Sequence, residues 1–134
     1  MIGGRAPAHA VATGKALLAF QNADYLERHA RKLKAHTKAT MTSLALLQDE
    51  LAKVRHLGYA VNRGEWREGV GGLASVVLDN LDRPIAALGI SGPVERLTAK
   101  LKRFAGEVKD SAADLSRLMG HGGSSEPRAK LRRS

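Results

Sequence analysis

The residues that invite chemistry are a Gly-Lys pair, a glycine-rich run, five histidines and two groups of carboxylates. Gly14-Lys15 has the outline of a phosphate loop. Such a loop needs a glycine five residues before Gly14 and Ser or Thr after the lysine, because backbone N–H groups cradle the phosphates and the hydroxyl holds the metal. Those positions are His9 and Ala16, so the loop is excluded and Lys15 reads as a helix surface lysine. Gly69-Val70-Gly71-Gly72-Leu73-Ala74 spells a dinucleotide fingerprint. That motif works only between a preceding strand and a following helix. Here a charged loop precedes it and a strand follows, so no cofactor is expected.

His9, His29, His36, His56 and His121 show no helical ligand spacing beside carboxylates, and cysteine is absent. No metal site is expected. His56 follows Arg55 near a helix end, where a cation favours the dipole. His121 falls in the tail, and His9 reads as a local structural residue. Asp49-Glu50 and Glu65…Glu68 read as surface carboxylates rather than the convergent buried pair that glycosidase chemistry requires. No Gly-x-Ser-x-Gly elbow occurs. These absences argue against an enzyme.

The elements that must position any site follow from periodicity. Ala8 to Phe20 reads as a short alanine-rich helix, and Asp24 to Leu33 as a second one begun by Asp24. Thr40 or Thr42 is expected to cap a stronger helix. In it Leu44, Leu47, Leu51, Val54 and Leu57 form one apolar stripe, ended by Gly58. Tyr59-Ala60-Val61 is a short strand candidate. Asn62 to Gly72 reads as a loop around Trp66, taken as a partly buried aromatic. Leu73–Leu78 and Ile85–Ser91 flank turn residues Asp79 to Pro84 and predict an antiparallel hairpin. Val94 to Met119 predicts one long amphipathic helix closed by Gly120. Residues 121–134 read as a disordered basic tail, leaving 1–120 as one domain.

The net charge of +9 raises nucleic acid as a partner. Much of it lies in the tail (Arg128, Lys130, Arg132 and Arg133 against Glu126) and in Arg28, Arg31, Lys32 and Lys34, which read as solvated surface. Aromatic residues are 4% of the chain, so stacking platforms for single strands are missing. No helix-turn-helix stands out. No apolar run approaches the roughly 20 residues of a membrane helix, and no secretory leader is visible. A cytoplasmic location is expected.

The order of motifs resembles the C-terminal effector-binding domain of IclR-family bacterial transcriptional regulators. The matching pieces are Ile2-Gly3-Gly4-Arg5-Ala6-Pro7-Ala8-His9-Ala10, Thr13-Gly14-Lys15-Ala16-Leu17-Leu18-Ala19 and Thr37…Thr40. They continue with Leu47…Glu50-Leu51…Val54-Arg55…Gly58-Tyr59-Ala60, Glu65…Gly69-Val70…Leu73-Ala74 and Ala86-Ala87-Leu88…Ile90-Ser91-Gly92-Pro93. The resemblance covers about residues 2 to 120. It implies an α+β, GAF-like fold with a central antiparallel sheet flanked by helices. It also implies a small organic acid as effector, with oligomerisation as part of the response.

The effector positions implied by the resemblance are Ala12 and Thr13, through backbone N–H groups, together with Asn62, Gly72, Gly89 and Ser91. Family members commonly carry an acid at the position of Asn62, a cysteine at Gly72 and a serine at Gly89; Ser91 is kept. The two glycines predict a roomier, less polar pocket. The family's DNA-binding domain, and the first helix and strands of the effector sheet, have no counterpart in this sequence. The chain is therefore expected not to bind an operator alone. It is expected to self-associate or to join a full-length regulator through an open sheet edge. The competing readings are a basic nucleic-acid-associated protein and a non-functional or dimerisation-only fragment.

Overall fold

A computed structural model describes residues 7–31 and 33–122. The expected tail beyond Gly122, the Ile2–Ala6 part of the resemblance and Lys32 lie outside the described residues. Arg28, Arg31 and Lys34 are exposed, as expected.

The expected first helix is two pieces. A 3₁₀ turn, Ala8–Ala10, precedes α1, Ala12–Leu18, with extended Val11 between them. The turn presses against α1 at Gly14, where a Cβ would stand 2.4 Å from Ala8 Cα. No residue but glycine fits that approach. The second helix, α2, spans Ala23–Ala30. Its cap is Asn22, whose side chain accepts from Tyr25 N, rather than Asp24.

Helix α3, Leu44–Leu57, is capped by Ser43 and not by Thr40 or Thr42. Ser43 Oγ accepts from Leu46 N, the bond that favours Ser at this position. Thr40 has other work: its hydroxyl accepts from His36 N and Thr37 N and donates to Glu65 O. Thr37 Oγ1 donates to Gly64 O at 2.6 Å. These two threonines fasten the loop that follows β1. Of the predicted stripe, Leu47, Leu51 and Val54 are buried and Leu57 is exposed. Gly58 ends α3 at φ 87°, a left-handed conformation that glycine adopts at little cost.

Three antiparallel strands follow: β1, Ala60–Arg63; β2, Val70–Leu78; and β3, Pro84–Pro93, in the order β1-β2-β3. The hairpin is as expected, but β2 begins at Val70, inside the expected loop. The reason is tertiary. Helices press on both faces of the glycine run, so glycine suits a strand here. A Cβ on Gly71 would meet Leu97 Cδ1 at 3.2 Å, and one on Gly72 would meet Ala12 Cβ at 3.5 Å.

The predicted last helix is broken. Helix α4, Val94–Ala99, and α5, Leu101–Leu118, meet at Lys100, which leaves the helical region at φ −123° and ψ 37°. The apolar repeat runs through this point without interruption, so periodicity alone hides the break. Gly120 closes the end at φ 91°, as expected. A register shift at Val77/Leu78 goes with an out-of-ladder bond: Leu78 N–H donates to buried Ser116 on α5.

The sheet separates two cores. One holds Ala12, Ala16, Leu47, Leu51, Ala60 and Ala74 between α1, α3 and one sheet face. The other holds Leu73, Leu97 and Val108 under α4 and α5. Full burial of a leucine such as Leu47, Leu51 or Leu73 contributes about 1.5–3 kcal/mol. The observed class is therefore α+β. No helix among the described residues is long and apolar enough to cross a membrane.

Candidate functional site

The six positions implied by the resemblance come together where α1 begins over the sheet. Antiparallel register sets Asn62 opposite Gly72, and Gly72 opposite Ser91, in one row across all three strands. The next row is Ala60, Ala74 and Gly89. Residues paired in this way project from the same sheet face. Ala12 lies over the first row at Gly72, and Thr13 over the second, with its Cγ2 at 3.0 Å from where a Gly89 Cβ would stand. Asn62 and Ala12 are buried, whereas Thr13, Gly89 and Ser91 are exposed. The row thus runs from a closed end at β1 to an open end at β3.

Polar chemistry enters from two sides. No side chain caps α1, so its first N–H groups, including those of Ala12 and Thr13, are available to an acceptor. Asn62 Oδ1 accepts from Glu65 N at 2.8 Å. That bond fixes which end of the amide is the oxygen. It leaves Nδ2 as a donor with no hydrogen-bond partner among the described residues.

The two glycines do not enlarge the site. At Gly89 a Cβ would lie 2.9 Å from Leu73 O as well as against Thr13, and at Gly72 it would lie 3.3 Å from Ile90 O. The chain's own atoms take up that room. Glycine admits the close approach of α1, and the expectation of a roomier pocket is corrected. A separate open cleft of about 510 Å³ lies at the other end of α1, lined by Phe20, Gln21, Leu26, Gln48 and Arg55 among others.

The residue that sequence reasoning misjudged is Lys15. It is not on the surface: it is fully buried. Its ammonium donates to Glu50 Oε2 at 3.0 Å, Glu65 Oε1 at 2.8 Å and Val61 O at 2.5 Å. All three donors of the group are thereby used. Glu65, read as a surface carboxylate, is 7% exposed, and its Oε2 also accepts from Arg63 N. Glu50 is half-buried, whereas Asp49 and Glu68 are exposed as expected. The triad ties α1, α3 and β1 together directly behind Asn62. The available signal was a single lysine interrupting an otherwise small and apolar helix.

His9 bears out its structural reading. It is buried, and its Nε2 donates to Lys34 O at 2.9 Å. It also meets His29 and His36, with ring centroids 6.1 and 5.8 Å away. His29 Nε2 is buried without a hydrogen-bond partner. Burial, and secondly the charge on His9, push the His29 pKa below its ordinary value. No group among the described residues could hold a metal ion. His121, where the tail was expected to begin, has its Nδ1 3.2 Å from Asp79 O and 3.0 Å from Asp82 Oδ1. Trp66 is partly buried, with the Arg67 guanidinium 4.6 Å from its ring centroid.

Known proteins share this fold. The chain is 34% identical over 122 residues to the transcriptional repressor IclR of Escherichia coli, covering 89% of this chain and 44% of that protein. It superposes on the C-terminal domain of the E. coli transcriptional regulator KdgR with a TM-score of 0.81 and 33% identity, over 90% of this chain and 76% of that one. The inducer-binding domain of PobR from Acinetobacter, a double mutant in complex with 3-hydroxybenzoic acid, matches with a TM-score of 0.79 and 29% identity, over 88% and 70% of the two chains. The chain thus spans less than half the length of the curated repressor, and these relatives regulate transcription rather than catalyse reactions. Residues 1–117 match the family described as bacterial transcriptional regulator IclR C-terminal, and the chain belongs to that family.

Proposed function

We propose that this domain senses a small organic acid on behalf of a bacterial transcriptional regulator in the cytoplasm. The acid's carboxylate sits at the start of α1 and accepts from the N–H groups of Ala12 and Thr13 and from Asn62 Nδ2. Gly72 and Gly89 let α1 lie close on the sheet so that its first N–H groups reach the acid, and Ser91 offers a hydroxyl at the open end. The observation that carries this reading is the convergence of Asn62, Gly72 and Ser91 in one row under an uncapped helix start. The aromatic acid bound by the PobR domain is consistent with it. An ionised side chain at position 62 would repel a carboxylate, whereas an amide donates to one. The response passes to a full-length regulator or a second copy of the chain.

Thermal unfolding with a panel of small carboxylic acids tests the reading. A ligand at about 100 times its dissociation constant stabilises the folded state by about 2.7 kcal/mol. One class of acid is expected to raise the midpoint, and Asn62→Leu is expected to remove the shift. No shift with any acid, or an undiminished shift in Asn62→Leu, overturns the proposed site.

A further inference from the structure

The cleft at the C-terminal end of α1 shares no residue with the Asn62–Gly72–Ser91 row at the start of that helix. Its volume, about 510 Å³, lies in the range that holds small organic ligands. The end of α1, the start of α2 and one side of α3 wall it. Leu26 and Leu51 are its buried apolar lining, and the Phe20 ring, 37% exposed, stands beside them. Gln21 and Gln48 add amides. Apolar walls with a few polar groups are the usual make-up of a small-molecule site.

Among the described residues that line the cleft, Arg55 alone is charged. Its Nη1 donates to Ala19 O at 2.9 Å, at the residue that ends α1. A cation is favoured at a helix C-terminus, so the guanidinium is held there. That bond takes one of its five N–H donors. No ion pair among the described residues includes Arg55. Lys15, the cation within α1, differs: all three of its donors are used inside the protein. An anchored guanidinium with free donors suits a carboxylate, which it can meet with two parallel bonds.

We infer that this cleft is a second ligand site, for a small carboxylic acid with an apolar body such as a phenyl ring. The carboxylate pairs with Arg55 at the rim, and the apolar body covers Phe20, Leu26 and Leu51. The single positive charge selects a monoanion. The leucines and the ring select against inorganic anions, which would leave that surface uncovered. None of Ala12, Thr13, Asn62 and Ser91 lines the cleft, so this site stands or falls apart from the sensing site proposed above.

Titration of the full chain with 3-phenylpropionate, read on the methyl NMR signals of Leu26 and Leu51, is the test. The signals are expected to shift and saturate, and to do so equally in Asn62→Leu, which separates this site from the one on the sheet. Acetate and inorganic phosphate carry charge without the ring, and 3-phenylpropanol carries the ring without charge. All three are expected to bind more weakly than the phenyl acid. Arg55→Gln should weaken 3-phenylpropionate about tenfold, through loss of hydrogen bonds to a charged group. Arg55 also holds the end of α1, so Gln48→Glu gives an independent measurement. It puts a carboxylate in the cleft lining, leaves Arg55 in place and should weaken the acid with the thermal midpoint unchanged. Leu26 and Leu51 signals that do not move overturn the inference. Phosphate bound as tightly as the phenyl acid, undiminished binding in Arg55→Gln or Gln48→Glu, or shifts lost in Asn62→Leu overturn it as well.

Discussion

Lys15 Nζ and Glu65 Oε1 lie 2.8 Å apart, both buried, fifty positions apart in the chain. An unpaired charge inside a protein is costly, so removing one partner leaves the other in a worse state than before. Lys15→Met is expected to lower stability by about 3–5 kcal/mol, read by urea unfolding. Lys15→Met/Glu65→Gln should lose less than the two single changes added together, because the neutral amide no longer needs the ammonium. Strict additivity would mean that the pair is not coupled.

Gly14 admits the turn that precedes α1. A Cβ there would stand 2.4 Å from both Ala8 Cα and Ala8 O, closer than real contacts come. Alanine normally stabilises a helix relative to glycine by about 1 kcal/mol. Gly14→Ala should do the reverse and lower the thermal midpoint, since the Ala8–Ala10 turn must be displaced. A raised midpoint would show that this turn does not hold α1 in place.

Gly89 and Thr13 set the spacing between α1 and β3. A methyl at position 89 would contact Thr13 Cγ2 at 3.0 Å and Leu73 O at 2.9 Å. Gly89→Ala is expected to cost about 1–3 kcal/mol through overpacking. Removing the Thr13 methyl in Gly89→Ala/Thr13→Ser should return part of that loss and no more, since the carbonyl contact stays. Calorimetry of the three chains separates the two contacts.

His29 gives the domain an acid-sensitive limb. Its folded-state pKa is below the ordinary 6.5, through burial first and His9 second. As pH falls below that value, the unfolded chain takes up a proton that folded His29 resists. Stability attributable to His29 is therefore complete above about pH 6.5 and declines as pH drops through the lowered value. His29→Gln should flatten this part of the stability-against-pH curve. An unchanged slope would place the titration elsewhere.

Much of the architecture was legible locally. The stripe Leu47, Leu51 and Val54 predicted the face that α3 buries, and Gly58 predicted its end, because side-chain period and left-handed backbone are properties of a few adjacent residues. The hairpin from Leu73 to Ser91 was legible for the same reason. The six site positions came from resemblance. No local pattern marks Ala12 or Gly89 as neighbours.

What the sequence by itself determined, then, was the order and type of the elements, the α+β class and the absence of thiol chemistry. Tertiary structure decided the rest. Val70–Gly72 joined β2 where α4 presses close on Gly71 and α1 packs over Gly72. The last helix broke at Lys100 although its apolar repeat continues. Lys15 went inside because Glu50 and Glu65, 35 and 50 residues away, met it there. A buried charge is tolerated only beside partners, and partners that distant are supplied by the fold alone.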